Sequence, residues 1–138
     1  MDGVTAHLLA GGEPLAVRTD QVEDYAVATF EVAGATVRLA CSWRLNAGRD
    51  AEISAAFYGT KGGAALSNVG GSFYDFTAEH YRGTSCESLA CPPDDWGGRA
   101  AADWASRLAR GARYDPAVEL IIATAEALDR MYGRGSGA

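Results

Sequence analysis

The chain has 138 residues, of which 48% are hydrophobic, so it is long enough for one compact domain with an ordinary apolar core. Its formal net charge is −6 and Lys61 is its only lysine, which argues against a nucleic acid partner because non-specific affinity for phosphate needs clustered Lys and Arg. No apolar stretch approaches the roughly 20 residues that span a bilayer, and no secretion signal is visible, so we expect no membrane contact and a cytoplasmic location.

The cysteines and histidines form no recognisable metal site. Cys41, Cys86 and Cys91 include no Cys-x-x-Cys pair, and His7 and His80 lie far apart in the sequence. Zinc sites use four such ligands at characteristic spacings. We therefore expect no metal, and we interpret Cys41 as a small hydrophobic residue on the apolar side of a strand.

The first three-quarters of the sequence indicate strands and turns. Residues 21–32 and 35–44 each alternate in polarity with period two, which is typical of antiparallel strands with one apolar face. Ala33-Gly34 between them predicts a tight turn, because glycine accepts a positive φ. Further strands are predicted at Val4–Ala10, Ala51–Tyr58, Ala64–Val69, Ser72–Tyr81 and Ser85–Ala90.

After Cys91-Pro92-Pro93 the pattern changes to two amphipathic helices. Asp94 or Asp95 is a suitable N-cap for the first, and Asp115-Pro116 supplies an N-cap and a first-turn proline for the second. The apolar stripe of the first helix is Trp96, Ala100, Trp104 and Leu108. The sequence therefore predicts one α+β domain over residues 1–138, with a mostly antiparallel, twisted sheet of about six strands and two C-terminal helices packed on one face.

Several of these patterns resemble, in the same order, the C-terminal domain of the Gfo/Idh/MocA oxidoreductases. They are Val22-Glu23-Asp24-Tyr25-Ala26, the strand ending Ser42-Trp43, the hairpin Phe57-Tyr58-Gly59-Thr60-Lys61-Gly62-Gly63, and the helices entered through Asp94-Asp95-Trp96. The likeness covers nearly the whole chain, and the Tyr-Gly-Thr-x-Gly hairpin is its most telling piece. The resemblance implies the substrate-side, oligomer-forming domain of a dehydrogenase, as a stand-alone chain.

The nucleotide-binding half of that family has no counterpart in this sequence. No Gly-x-Gly-x-x-Gly turn follows a strand and opens a helix, so no element is predicted to hold a pyrophosphate. The family's Glu-Lys-Pro and Asp-x-x-x-His elements are also missing. We therefore expect no nicotinamide cofactor and no dehydrogenase activity from this chain alone.

An open sheet covered by only two helices predicts an exposed apolar surface, and such surfaces usually become interfaces. We expect a homodimer through the open sheet face, where Ala40, Ser54 and Ala56 are small enough for close approach. The alternative is a monomer whose second sheet face is polar.

Two groups of residues are candidates for acid–base chemistry. Glu23 and Asp24 form the densest acidic cluster, and a carboxylate beside an apolar sheet can act as a general base; the alternative is a solvated strand start or a partner for Arg44 or Arg49. Tyr74 and His80 are six residues apart, so in an unbroken strand they share a face and could serve as acid and base, although an exposed histidine often has no role. Candidate substrate-binding residues are Tyr25, Trp43, Arg44, Trp96 and Arg99, of which the last two also suit an ordinary amphipathic helix.

Two classes of function follow from these features. One is a cofactor-independent enzyme or small-molecule-binding protein that performs a proton-transfer, cyclisation or isomerisation step, since such steps need a shaped apolar cavity and one or two acid–base groups. The other is a non-catalytic dimerisation domain or a fragment of a sugar dehydrogenase. In that case a separate Rossmann-domain protein is a possible partner in trans.

Overall fold

A computed structural model of the chain describes residues 2–16, 20–93 and 96–134. The chain divides into two compact units, one formed by Met1–Leu45 with Arg113–Ala138 and the other by Asn46–Ala112. Each unit contains one antiparallel four-stranded sheet and one α-helix. The α+β class is therefore confirmed, and the single domain over residues 1–138 stays a prediction.

The first unit contains a sheet of order β2-β1-β3-β4. Its strands are β1 (Asp2–Ala10), β2 (Glu13–Pro14), β3 (Tyr25–Val32) and β4 (Ala35–Ser42). A 3₁₀ turn over Pro116–Val118 leads into helix α2, Glu119–Met131, which packs against β1. As predicted, Asp115 caps this turn, because its side chain accepts a hydrogen bond from the Ala117 N–H.

The predicted hairpin of β3 and β4 is confirmed. The two strands pair without interruption from Tyr25 opposite Ser42 to Val32 opposite Ala35. The turn residues Ala33 and Gly34 have φ values of 51° and 81°. Positive φ at both central residues is what a two-residue turn requires to follow the twist of its strands.

The second unit contains a sheet of order β5-β6-β7-β8. Its strands are β5 (Ser54–Gly59), β6 (Gly62–Asn68), β7 (Phe76–Arg82) and β8 (Ser85–Ala90). Gly63 fits only as glycine, since a Cβ there would lie 2.8 Å from the Phe57 carbonyl oxygen. Helix α1 (Arg99–Ala109) follows, with Gly98 as its N-cap residue. The caps predicted at Asp94 and Asp95 lie outside the described residues.

Two details of the predicted architecture are wrong. The strands form two four-stranded sheets instead of one sheet of about six, because β4 and β5 are edges of different sheets. The expected packing of both helices on one face also fails, since α1 makes no extensive contact with the strands of its own unit. Periodicity identifies the faces of each strand but not which strands hydrogen-bond to one another, so the number of sheets was open to error.

Little of the described chain is buried. The buried apolar residues are all alanines, Ala26, Ala28 and Ala51, and neither helix contains a buried residue. Large apolar side chains, among them Phe57, Leu89 and Ile121, are exposed instead.

Candidate functional site

Four candidate residues of the first unit meet at one end of its sheet. Glu23 and Asp24 immediately precede β3, while Trp43 and Arg44 immediately follow β4. Because these strands are antiparallel and Tyr25 lies opposite Ser42, the start of one strand adjoins the end of the other. The structure therefore brings together residues that are about twenty positions apart.

Asp24 is the most enclosed member of this group, with a side chain 13% exposed. Its Oδ2 accepts a hydrogen bond of 2.9 Å from the Gly11 N–H and lies 3.4 Å from Arg44 Nη1. The Asp24 main-chain oxygen accepts a 2.6 Å hydrogen bond from the Ser42 hydroxyl. The carboxylate thus ties the β1–β2 turn to the β3–β4 end. Its ion pair with Arg44 is one of the alternatives to catalysis that the sequence left open.

Glu23 is held through both its main chain and its side chain. Its carbonyl oxygen accepts a 2.7 Å hydrogen bond from Trp43 Nε1. Its carboxylate accepts a hydrogen bond from the Tyr132 hydroxyl, and this bond, with burial and the carboxylate charge, raises the pKa of Tyr132 to about 12. The Arg134 guanidinium lies 4.9 Å from the centre of the Tyr132 ring. The glutamate therefore stabilises the protonated form of this phenol.

Tyr25, the first residue of β3, is half-buried and pairs with Leu9 on one side and Ser42 on the other. Tyr25 therefore lies at the same end of the sheet as Glu23, Asp24, Trp43 and Arg44. The Arg44 guanidinium lies 5.6 Å from the Trp43 ring centre, so these two proposed substrate-binding side chains contact each other.

In the second unit, Trp96 connects the segment before α1 to the segment before β7. Its Nε1 donates a 2.8 Å hydrogen bond to the Tyr74 carbonyl oxygen, and its ring meets Phe76 edge-to-face at 6.1 Å. Arg99 begins α1, and its N–H donates to the Trp96 carbonyl. The structure thus joins Tyr74, Trp96 and Arg99 through main-chain groups.

His80 lies within β7, where its Nδ1 is 3.7 Å from Glu87 Oε2 of β8. The strand begins at Phe76, so Tyr74 precedes it and the unbroken strand assumed for the Tyr74–His80 pair is absent. In the described ranges, no hydrogen bond or ring contact joins these two side chains. Their proposed acid–base roles stay predictions.

A cluster that sequence reasoning missed lies on β7 and β8. The Tyr81 hydroxyl donates a 2.6 Å hydrogen bond to Glu79 Oε2, which raises the pKa of Tyr81 to about 12, with further contributions from burial and the Glu79 charge. Cys86 lies opposite Tyr81, and burial followed by the Glu79 charge raises the pKa of its thiol. The i, i+2 spacing of Glu79 and Tyr81 on a strand was the signal for this cluster. A raised thiol pKa disfavours the nucleophilic thiolate.

The first unit also contains an open cleft of about 300 Å³. Its lining combines apolar side chains of β1 and of the end of α2 with polar side chains, which include two arginines. The lining includes Ala6, Leu8, Leu15, Arg130, Met131, Tyr132 and Arg134. None of the proposed catalytic residues lines the cleft, although Tyr132 connects it to Glu23 through their hydrogen bond.

Within residues 2–16, 20–93 and 96–134, no three His, Cys, Asp or Glu side chains cluster as a metal site would require. In the same part of the chain, no helix is long and apolar enough to cross a bilayer. No protein-family model matches the chain, and neither a curated protein nor a solved structure shows significant similarity to it.

Proposed function

We propose that this chain is a non-catalytic self-association domain, which completes its apolar core by packing against a second copy. The observation that carries the proposal is its accessible surface of 11049 Å². The chain has a mass of 14.4 kDa. Two separate compact proteins, each of half that mass, would together expose only roughly 8,200 Å². The surface is therefore too large even if each unit is considered as a protein of its own.

The interface that we propose is one side of the second sheet, here called the apolar face. Residues directly opposite in a ladder share a face, so the register of the four strands defines this surface. Its apolar members are Ala55, Phe57, Ala64, Leu66, Phe76, Ala78 and Ala90, and its β7–β8 end also carries the polar residues His80, Arg82 and Glu87. The contact that we propose is therefore centred on β5 and on Ala64 and Leu66 of β6. Phe57 is 65% exposed and Leu66 is 41% exposed, so the two largest side chains of β5 and β6 on this face meet solvent.

On β5 and β6 the other side of the same sheet is more polar, because it carries Ser54, Tyr58 and Ser67. The hydroxyl groups of these side chains would have to be desolvated on association. Ser54 and Ala56, which the sequence suggested for close approach, lie on this polar side because they pair with Ser67 and Ala65. The proposed dimer therefore uses the opposite face from the one that those small residues indicated.

The exposed area is sufficient for such an interface. A stable protein–protein interface of standard size buries about 1,600 Å² in total, or about 800 Å² from each partner. The excess over two compact units is about 2,800 Å² per chain. One dimer interface thus leaves further surface for a second contact.

The resemblance to the substrate-side domain of the Gfo/Idh/MocA oxidoreductases supports the same proposal, because that domain is an oligomer-forming one. A Rossmann-domain protein acting in trans is the main competing partner. Self-association of the purified chain would support a second copy as the partner. A chain that stays monomeric until a nucleotide-binding protein is added would support the Rossmann-domain protein instead.

Native mass spectrometry at micromolar concentration tests the proposal. We expect wild-type assemblies that contain two or more 14.4 kDa chains. Leu66→Lys places a charge on the apolar face and should remove this interface, whereas Ala65→Lys, its neighbour on the polar side and opposite Glu79, should not. A monomeric wild type, or dissociation by Ala65→Lys but not by Leu66→Lys, would contradict the proposal.

A second candidate function is small-molecule binding in the cleft of the first unit. Its volume of about 300 Å³ lies at the lower end of the range for ligand pockets. The apolar side chains Ala6, Leu8 and Met131, with Arg134 also in the lining, suit a small anion with an apolar body. A retained small-molecule mass that disappears in Ala6→Trp, which fills the cleft, would support this candidate; equal retention by both proteins would contradict it.

A further inference from the structure

The exposed edges of the two sheets differ in how they are protected against pairing with another chain. Natural proteins shield edges by short strands, charged side chains or bulges. β2 has two residues, β4 carries Arg38, and the β7–β8 ladder shifts register between Ala78 and Glu79. β5 has none of these features: Ser54–Gly59 is uncharged, regular and exposed at all six positions.

The orientation of the β5 main chain shows which groups are available at that edge. The Ile53 carbonyl accepts a 2.9 Å hydrogen bond from the Asn68 N–H, so Ile53 directs its carbonyl toward β6. Successive residues of a strand direct their N–H and C=O groups to alternate sides. Ser54, Ala56 and Tyr58 therefore direct theirs toward the open edge.

We propose that β5 pairs with β5 of a second copy, antiparallel and centred on Ala56, to form one continuous eight-stranded sheet. This inference rests on the proposed self-association and identifies an additional contact. In this register Ala56 lies opposite the second Ala56, and Ser54 lies opposite Tyr58. All three outward-facing residues then pair in full, which gives six main-chain hydrogen bonds; a register centred on Phe57 gives fewer.

The side chains of β5 are compatible with this self-pairing. Ala55 lies opposite Phe57 of the second copy on the apolar face, so the exposed phenylalanine gains a small neighbour there. No like charges meet, because β5 contains no charged residue. The second copy is thus favoured over an unrelated strand, since the same six residues supply both complementary sides.

The symmetry of this contact differs from that of the face-to-face contact. Antiparallel edge pairing places a two-fold axis perpendicular to the sheet, while packing of two apolar faces places one within the plane of the interface. Perpendicular two-fold axes that intersect generate a closed assembly of four copies. A tetramer is therefore the expected state when both contacts form.

The pairing of β5 with β5 of the second copy is here called the edge contact, and the packing of two apolar faces is called the face contact. Substitutions at Ala56 test the edge contact separately from the face contact. Ala56→Pro removes an N–H that faces away from β6, so the β5–β6 ladder is preserved while edge pairing is blocked. By native mass spectrometry we expect four chains for wild type, two for Ala56→Pro, two for Leu66→Lys and one for the double variant. Ala56→Val, which keeps the N–H, is the matched control and should remain tetrameric.

Different failures overturn different proposals. If Ala56→Pro remains tetrameric while Leu66→Lys dissociates, the edge contact is wrong and the face contact stands. If only Ala56→Pro dissociates, the face contact is wrong. Because the proline variant can also misfold, Ala56→Lys, which charges the edge, is measured beside it with circular dichroism of all variants.

Amide hydrogen exchange provides a direct measurement on the wild-type protein. The edge contact predicts protection of the Ser54, Ala56 and Tyr58 amides in purified wild type, and loss of the Ser54 and Tyr58 protection in Ala56→Lys. Unprotected exchange of Ser54 and Tyr58 in purified wild type would overturn the pairing of β5 with its own copy.

Discussion

The indole Nε1 of Trp43 lies 2.7 Å from the main-chain oxygen of Glu23 and donates a hydrogen bond to it across twenty positions of sequence. This bond joins the residue after β4 to the segment that precedes β3. The Trp43 ring is 70% exposed, so we attribute its contribution to stability mainly to this bond rather than to burial.

The first prediction concerns the change in stability when that bond is removed. Trp43→Phe keeps an aromatic ring but removes the donor, and we expect it to lower the free energy of unfolding by about 1 kcal/mol in urea titrations at fixed protein concentration. Trp104→Phe is the control, because no described group accepts a hydrogen bond from that exposed indole, and its effect should be smaller. Equal effects of the two substitutions would show that the bond contributes nothing measurable.

Asp24 provides the second prediction. Asp24→Ala removes the acceptor of the exposed Gly11 N–H and should lower the free energy of unfolding by about 0.5–1.5 kcal/mol. Asp24→Asn should cost less, since an amide oxygen can still accept that bond. Arg44→Gln should change stability by less than about 1 kcal/mol, because its ion pair with Asp24 involves a side chain that is 62% exposed. Equal losses for Asp24→Asn and Asp24→Ala would instead assign the stabilisation to the carboxylate charge.

The β3–β4 hairpin shows what could be predicted from the sequence. Its alternation fixes the faces of both strands, and Ala33-Gly34 fixes the turn and therefore the register. With that register known, the meeting of Glu23 and Asp24 with Trp43 and Arg44 follows. The four residues were named as candidates, but their mutual contacts required the register of the paired strands.

Other contacts were not accessible to the same reasoning. The bond between Tyr132 and Glu23 joins a helix end to a strand start that is distant in sequence, and helical periodicity does not show which strand a helix end contacts. The division into two sheets depends on which edges pair, and alternation contains no information about that choice. Likewise, the start of β7 at Phe76 separated Tyr74 from the strand that holds His80.

The third prediction concerns stability in alkaline solution. The folded state raises the pKa of Tyr132 to about 12 from its ordinary value of 10, so it retains a proton that the unfolded chain has lost. The resulting stabilisation is complete below pH 10 and disappears as the pH rises through 12. Tyr132→Phe should therefore reduce the fall in unfolding free energy between pH 10 and pH 12.

The control for that experiment is Tyr25→Phe, since no described carboxylate accepts a hydrogen bond from the Tyr25 hydroxyl. The pKa of Tyr81 is also raised to about 12, so the stability of Tyr132→Phe should still fall over this range, but less steeply than that of the wild type. Urea titrations at intervals of half a pH unit would measure the slopes. An unchanged slope in Tyr132→Phe would refute the Tyr132–Glu23 hydrogen bond.

The fourth prediction concerns the strained residue of the β3–β4 turn. Ala33 has a φ of 51°, a conformation that costs an L-residue with a Cβ roughly 1 kcal/mol and that glycine and asparagine tolerate better. Ala33→Gly and Ala33→Asn should therefore raise the free energy of unfolding by up to about 1 kcal/mol. The gain from glycine should be the smaller of the two, because glycine gives the unfolded chain more conformational freedom. Ala35→Gly, two residues later within β4, lacks any such strain to relieve and should lower stability by about 0.5–1 kcal/mol. Thermal unfolding of the three variants at one protein concentration would measure the contrast, and a loss of stability in both Ala33 variants would mean that the turn does not adopt this geometry in solution.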